Sequence, residues 1–108
     1  MKYLCLVNLE EQKLHVVPDR ECADCGQGLR ASGVLLAAEA LQPVDTATTV
    51  RVRNGKLSVT DGPFAETKEV IAGLDIIECA SDEEALEIAK AHPVATFGAI
   101  EVRRFDES

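Results

Sequence analysis

The sequence predicts an α+β domain in which an antiparallel sheet carries two helices on one face. Three observations lead to this prediction. Short apolar runs of strand length recur along the chain, Asn54-Gly55 separates two alternating segments, and Ser81-Asp82-Glu83-Glu84 has the pattern of a helix start. Together they place the elements in the order β-α-β, inserted β-hairpin, β-α-β.

The first half of the chain supplies one β-α-β unit. Residues 2–8 are short and apolar, as in a buried strand. Pro18 suits the first turn of a helix, which we expect to run from about 18 to 32 and to stop at Gly33, a favoured residue just after a helix. Residues 34–41 fit either a helix or a strand by composition. Gly33 before them and Pro43 after them favour a buried strand.

Residues 48–61 give the clearest local prediction. Val50 and Val52 alternate with polar residues, and Leu57 and Val59 do the same after Asn54-Gly55. Both central positions of a two-residue hairpin turn need positive φ, which is why Asn-Gly is a strong hairpin signal. The segment therefore predicts a hairpin with one apolar and one polar face.

A second β-α-β unit follows the hairpin. Residues 69–79 contain an apolar run that is typical of a strand, and residues 98–105 alternate as the last strand should. Between them, Ser81 and Glu84 form a capping box, and the helix is expected to end at His92 because Pro93 disfavours α geometry in the preceding residue. Its expected apolar side consists of Leu86, Ile88 and Ala89.

This order of elements is that of a ferredoxin-like domain. Two helices cover only one face of such a sheet, so the other face needs a different cover. We expect a homodimer whose two sheets pack face to face.

Length and charge narrow the class of protein. The 108 residues fit one domain spanning 1–108, and 19 acidic against 11 basic residues give a net charge of −8. Because phosphates would be repelled, we expect no nucleic-acid partner. No apolar run approaches the ~20 residues of a membrane helix, and the N-terminal apolar segment is too short for a signal peptide. A cytoplasmic protein without membrane contact is expected.

Several segments resemble a known family: residues 39–43 (EALQP), 47–51 (ATTVR), 54–56 (NGK), 61–69 (DGPFAETKE) and 98–103 (GAIEVR). They are similar to the YCII-related family, in its DGPF branch, over nearly the whole chain. The resemblance implies a ferredoxin-like fold, a dimeric α/β barrel arrangement and a cleft between helices and sheet. Wider relatives look like small-molecule enzymes, including one that acts on a chlorinated aromatic breakdown intermediate.

The resemblance also implies a catalytic pair. Wider relatives carry a His in the first helix and an Asp before the Pro that follows the second helix; here these positions hold Cys22 and His92. A helix N-terminus favours the thiolate of Cys22, and a shared proton with His92 would make it a nucleophile. Against this, Glu21 and Asp24 oppose thiolate formation. The alternative is a half-buried thiol and a surface histidine that caps a helix.

The motif Cys22-Ala23-Asp24-Cys25 also raises a zinc or redox hypothesis. A structural zinc site needs four ligands, and a second pair of this kind is missing from the sequence. Two helical cysteines on one face by chance is the simpler interpretation, and we expect no metal and no cofactor.

Four further residues are candidates for ligand binding. In the segment 61–69, Asp61 and Gly62 suit a turn, with Phe64 expected to anchor the loop in the core. Glu66 and Lys68 lie on one side of an extended chain, where they would form an ion pair or hold a polar ligand. Glu39 lies in an apolar run. It is expected either to pair with Arg51, Arg53 or Lys68, or to act as a general base of raised pKa.

Two functional hypotheses remain from the sequence. The first is a cofactor-free enzyme that transfers a proton to, or makes a nucleophilic attack on, a small organic metabolite in a small-molecule cleft. The alternative is a non-catalytic ligand-binding or dimeric interaction module, in which the same polar residues hold two subunits together.

Overall fold

The computed structural model describes residues 1–10, 32–64 and 68–106. Its strands and helix are β1 (Lys2–Glu10), β2 (Leu35–Ala40), β3 (Thr48–Arg53), β4 (Lys56–Asp61), β5 (Glu69–Glu78), α1 (Asp82–Lys90) and β6 (Ala99–Arg104). Short 3₁₀ turns span Val44–Thr46 and Pro93–Thr96. Each predicted strand is present within a few residues of its expected bounds. The predicted first helix, over about 18–32, falls almost entirely on residues outside the described ranges.

Four strands form one antiparallel sheet with the order β2-β5-β1-β6. Both β5 and β6 run antiparallel to β1, so they are parallel to each other, and α1 lies in the connection between them. This is a β-α-β unit of the predicted kind. The α+β class and the antiparallel sheet are therefore confirmed, with one α-helix in the described part of the chain.

The two faces of this sheet are buried to different extents. On one face, alternate residues of β1 are only 2–8% exposed: Tyr3, Cys5, Val7 and Leu9. They pack against Ala85 of α1 and Val94 of the Pro93–Thr96 turn. On the other face, Leu4 and Leu6 are half-buried. We call the first the helix-side face and the second the open face.

The Pro93–Thr96 turn approaches β1 closely at Gly98. The Gly98 amide donates to the carbonyl of Val94 at 2.7 Å. A Cβ at this position would overlap the carbonyl oxygen of Asn8 and come within 2.9 Å of Val94 Cγ1. Glycine is therefore required by the closeness of two backbone segments rather than by a special φ.

The capping box at the start of α1 is present. The Glu84 amide donates to Ser81 Oγ at 3.2 Å, and the Ala80 amide donates to Glu84 Oε2 at 3.1 Å. The buried residue of the helix is Ala85, whereas Leu86 is 58% exposed, so the expected apolar side was wrong at that position. The helix ends at Lys90, two residues before the predicted end, because His92 already starts the next turn.

The hairpin forms its own two-stranded sheet, separate from the four-stranded one. Asn54 and Gly55 have φ of 52° and 75°, which confirms the predicted turn. Cross-strand pairing puts Val50 opposite Val59 and Val52 opposite Leu57 on one face. These four side chains are 58–68% exposed, so the apolar face is formed as predicted but is not covered by any described part of the chain.

In the described residues, every helix falls short of the length and apolar character needed to cross a membrane.

Candidate active site on the helix-side face

One carboxylate lies on the helix-side face of the sheet. Asp75 is opposite Cys5 of β1 and Ala38 of β2. Side chains alternate along β5, so Asp75 shares its face with the buried Ile77 rather than with Leu74 or Ile76. Its side chain is 21% exposed. An acidic group thus sits at the margin of an apolar surface.

The turn after α1 brings a histidine to this carboxylate. His92 precedes Pro93–Thr96, and its Nδ1 accepts a hydrogen bond from the Val94 amide at 3.0 Å. Its Nε2 lies 3.7 Å from Asp75 Oδ2, and the imidazole is 18% exposed. Because Nδ1 is an acceptor, the neutral ring carries its proton on Nε2, directed toward Asp75.

Burial lowers the pKa of His92, and the nearby Asp75 carboxylate only partly opposes this effect. The sequence predicts His92 at a helix C-terminus, where a cation would be favoured. The structure corrects this interpretation, since His92 lies beyond the end of α1 and its Nδ1 receives a backbone N–H. The ring is held neutral, as a hydrogen-bond donor at Nε2.

The cysteines of the same face are unreactive. Burial, followed by the charge of Asp75 and the Cys79 thiol, raises the pKa of Cys5 to about 11. Burial is also the main cause that raises the pKa of Cys79. Both are free and buried thiols that stay protonated near neutral pH, as expected of small apolar core residues.

A tyrosine–carboxylate pair lies further along the helix-side face. Tyr3 Oη donates to Asp82 Oδ1 at 2.5 Å, which ties β1 to the first turn of α1. This hydrogen bond is the main reason that the pKa of Tyr3 is raised to about 12. A cavity of about 240 Å³ lies beside the pair, lined also by Leu86, Val102 and Arg104.

The structure separates the residues that the sequence analysis grouped. Cys22 and Glu66 lie outside the described residues. Glu39 is opposite Leu74, on the open face, and is exposed, so the burial expected from its apolar neighbours is wrong. The reason is that its side chain lies on the open face, which no described element covers.

The expected partners of Glu39 make other contacts. Lys68 Nζ lies 3.2 Å from Glu10 Oε1, Arg53 Nη1 donates to the Val52 carbonyl at 3.2 Å, and Arg51 stacks on the Phe64 ring. Lys68 lines an open groove of about 560 Å³ on the open face, together with Asn8, Glu10, Glu69, Ala99 and Glu101.

The turn after the hairpin differs from its prediction in one respect. Asp61 is exposed at the end of β4, and Gly62 has a φ of 105°. The Gly62 amide donates to the Ala47 carbonyl at 2.7 Å, and Thr49 Oγ1 donates to the Gly62 carbonyl at 2.8 Å. Phe64 does not anchor this loop in the core, because it is 76% exposed. Its ring centroid instead lies 5.1 Å from the Arg51 guanidinium carbon.

Asp75 was missed by the sequence analysis, which treated residues 69–79 as an apolar strand. The signal was available in the alternation of β5, where Gly73, Ile77 and Cys79 share one face. A single carboxylate in that buried series requires a partner. Within the described ranges, no group of three or more His, Cys, Asp or Glu side chains is placed to hold a metal ion.

The element order and the sheet order β2-β5-β1-β6 define a small α+β protein of the ferredoxin-like class. A family model of the YCII-related domain matches residues 1–107, and the chain belongs to the YCII-related family.

Two similar proteins extend this comparison. An uncharacterised protein of Rhizobium meliloti (strain 1021) is 43% identical over 76 residues, which span 67% of this chain and 60% of that protein. The structure of 5-chloro-2-hydroxyhydroquinone dehydrochlorinase (TftG) from Burkholderia phenoliruptrix AC1100, in complex with 2,5-dihydroxybenzoquinone, is similar with a TM-score of 0.61. That alignment covers 100% of this chain and 96% of the dehydrochlorinase at 16% identity, so the likeness is one of fold.

Proposed function

We propose that this protein is a cofactor-free enzyme that moves a proton on a small organic metabolite at the His92–Asp75 pair. The observation that carries the proposal is the 3.7 Å approach of His92 Nε2 to Asp75 Oδ2 on a partly accessible surface. Structural similarity to a protein that binds 2,5-dihydroxybenzoquinone supports a small hydroxylated ring as the kind of ligand to test.

The geometry gives the two side chains different roles. The Val94 amide occupies Nδ1, so the proton of the neutral His92 ring is on Nε2, on the side of Asp75. A substrate oxygen that enters between the two side chains accepts this hydrogen bond in place of Asp75. Asp75 is the group that accepts a proton from an adjacent C–H or O–H. A neutral imidazole whose pKa is lowered can stabilise a developing oxyanion without losing its own proton.

The same proposal includes the finer features expected from the sequence. The protein is a single-domain, cytoplasmic member of the DGPF branch, with a first helix beside α1 and two copies joined through their open faces. Cys22 of that first helix is the proposed nucleophile if the reaction is a covalent attack rather than a proton transfer. Of the four residues predicted to bind a ligand, Glu39 and Lys68 belong to the open face and not to the site of His92. Asp61 and Glu66 stay predicted ligand contacts.

Ligand binding tests the proposal first. The probe is 2,5-dihydroxybenzoquinone. The measurement is the change in melting temperature that the probe causes in the wild type and in the variants Asp75→Asn and His92→Gln. We expect the probe to raise the melting temperature of the wild type and to leave that of both variants unchanged. Glu39→Gln is the matched control, because it changes an exposed carboxylate on the opposite face. An equal shift in all four proteins would show that the ligand binds elsewhere.

Catalysis is tested separately by proton exchange. NMR in D₂O follows exchange of ring hydrogens of hydroxylated aromatic compounds, with and without the protein. Loss of a general base typically lowers a rate by ~10²–10⁴-fold, and we expect a decrease of this order for Asp75→Asn. The Cys22→Ser variant should still catalyse the exchange. Loss of the exchange in this variant would assign the chemistry to the Cys22 thiol.

A second candidate function is a non-catalytic dimeric interaction module. It is favoured by the uncovered apolar face of the hairpin, where Leu57 is 68% exposed. Binding of the probe without any acceleration of exchange, at any pH between 5 and 9, would favour this module over the enzyme.

A further inference from the structure

The cavity beside Tyr3 and Asp82 has no role in the proposed reaction. It has a volume of about 240 Å³, and the described residues that line it do not include the His92–Asp75 pair. One end of β1, the start of α1 and the end of β6 supply its lining: Tyr3, Asp82, Leu86, Val102 and Arg104. Because β6 is an edge strand, the cavity lies at an edge of the sheet.

One wall of this cavity is aliphatic. Arg104 lies opposite Tyr3 of β1, and Val102, two residues earlier on β6, projects on the same helix-side face. Val102 is half-buried and packs against the core. Leu86 of α1 lines the cavity from the other side and is 58% exposed. A bound molecule with a hydrocarbon group would therefore remove apolar surface from water here.

Two opposite charges belong to the same cavity. Asp82 is exposed in the first turn of α1, and Tyr3 Oη donates to its Oδ1, so this hydrogen bond involves only one of the two carboxylate oxygens. The hydrogen bond to Asp82 is the main cause of the raised pKa of Tyr3, and the charge of Arg104 opposes that effect. Both charges therefore act at one phenol, beside the aliphatic wall.

The lining selects the chemistry of a ligand. A guanidinium binds a carboxylate through two parallel N–H donors, and a carboxylate accepts hydrogen bonds from an ammonium group. A simple anion would be repelled by Asp82 and a simple cation by Arg104, so a molecule that carries both charges is favoured. The volume lies below the ~300–1,000 Å³ of most ligand pockets, which indicates a small molecule.

We propose that this cavity binds a free α-amino acid with an aliphatic side chain, such as leucine. Arg104 binds the carboxylate of the amino acid, and Asp82 binds its ammonium group. Leu86 and Val102 contact the aliphatic side chain. Tyr3 is a positioning residue, because its hydroxyl holds the Asp82 carboxylate at the end of β1. The site is separate from the proposed reaction and does not depend on it.

A set of related ligands tests the three features of the site. Isothermal titration calorimetry measures binding of L-leucine, of leucinamide, which lacks the carboxylate, and of 4-methylpentanoate, which lacks the ammonium group. Glycine keeps both charges without the hydrocarbon. We expect L-leucine to bind, and each of the other three compounds to bind at least ~10-fold more weakly, since each loses one contact. Equal affinity for leucine, leucinamide and 4-methylpentanoate would overturn the proposal.

Variants of the protein test which side chains hold the charges. Arg104→Gln and Asp82→Asn should each raise the dissociation constant of L-leucine by ~10–100-fold, the loss typical of a hydrogen bond to a charged group. Arg103→Gln is the matched control for the cation, because Arg103 is opposite Leu4 on the open face. Glu83→Gln is the control for the carboxylate, as the next exposed acidic residue of α1. Both controls should bind L-leucine like the wild type, and circular dichroism confirms that each variant retains its fold.

The outcomes also separate this cavity from the His92–Asp75 pair. His92→Gln should bind L-leucine with unchanged affinity. If His92→Gln lost leucine binding while Arg104→Gln kept it, the amino acid would bind at the histidine, and the proposal would be overturned. A wild-type protein that binds none of leucine, isoleucine and valine at millimolar concentrations would overturn it as well, whatever the result of the proton-exchange assay.

Discussion

In β1 every second side chain from Tyr3 to Leu9 is at most 8% exposed, whereas the matching side chains of β3 and β4 are 58–68% exposed. In both regions successive side chains point to opposite faces, with the period of two that a strand requires. Residues 3–7 of β1 are all apolar, whereas β3 and β4 alternate apolar with polar residues. The difference is that α1 and the Pro93–Thr96 turn cover β1, and no described element covers the hairpin. Alternation sets which residues share a face, and only a packing partner decides whether that face is buried.

The largest expected effect on stability comes from replacing one leucine in each region, Leu9 in β1 and Leu57 in the hairpin. Leu9→Ala should lower the free energy of unfolding by about 2–5 kcal/mol, because Leu9 is 2% exposed and its removal leaves a cavity. Leu57→Ala should change it by less than ~0.5 kcal/mol at protein concentrations where the chain is monomeric. Urea unfolding measures both. Comparable losses in the monomer would show that the hairpin is covered within its own chain, and the comparison would fail.

A smaller effect on stability is expected from protonation of His92 on the helix-side face. Burial lowers the pKa of His92 from its ordinary value of 6.5. A group whose pKa is depressed in the folded state contributes stability above the unfolded pKa, and that stability is lost as pH falls through the folded pKa. The wild type should therefore lose stability below pH 6.5, by less than Leu9→Ala costs, and His92→Gln should remove this part of the pH dependence.

The control for this experiment is His15→Gln, which changes the other histidine of the chain. Thermal unfolding from pH 4 to 8 gives the comparison. If His15→Gln flattened the profile and His92→Gln left it unchanged, the pH-sensitive imidazole would not be the one beside Asp75.

The smallest effect concerns the exposed side of the hairpin. Arg51 lies over the Phe64 ring at 5.1 Å, and a cation–π contact at an exposed site contributes about 0.5–1 kcal/mol. A double-mutant cycle of Arg51→Gln and Phe64→Leu in the monomer should give a coupling energy in this range. A coupling well above it would indicate that this end of the hairpin is desolvated, contrary to its exposure.

The strands were predictable because their signals are local. The Asn54-Gly55 turn, the apolar run of β1, the alternation of β6 and the capping box at Ser81 depend on neighbouring residues, and each appears in the structure. Leu86 was assigned to the wrong side of α1 because one helical turn contains several apolar residues. The tertiary contact of Ala85 decided which of them is buried.

The candidate site was predictable only in part, since it depends on which faces meet. His92 was recognised through the family resemblance. The alternation of β5 gives a signal for Asp75, but sheet register was needed to put it opposite Cys5, on the face covered by α1. Glu39 was expected to be buried because its neighbours are apolar. Its side chain lies on the open face of the sheet, and local sequence does not encode which face another element covers.

Gly98 marks a close backbone contact next to the candidate site. The loop bearing His92 rests on β1 through main-chain atoms, with no room for even a methyl group between them. The position of this loop against the sheet is consequently set by backbone spacing. We expect an alanine at residue 98 to push this loop away from β1, because its methyl group has no space beside the Asn8 carbonyl oxygen.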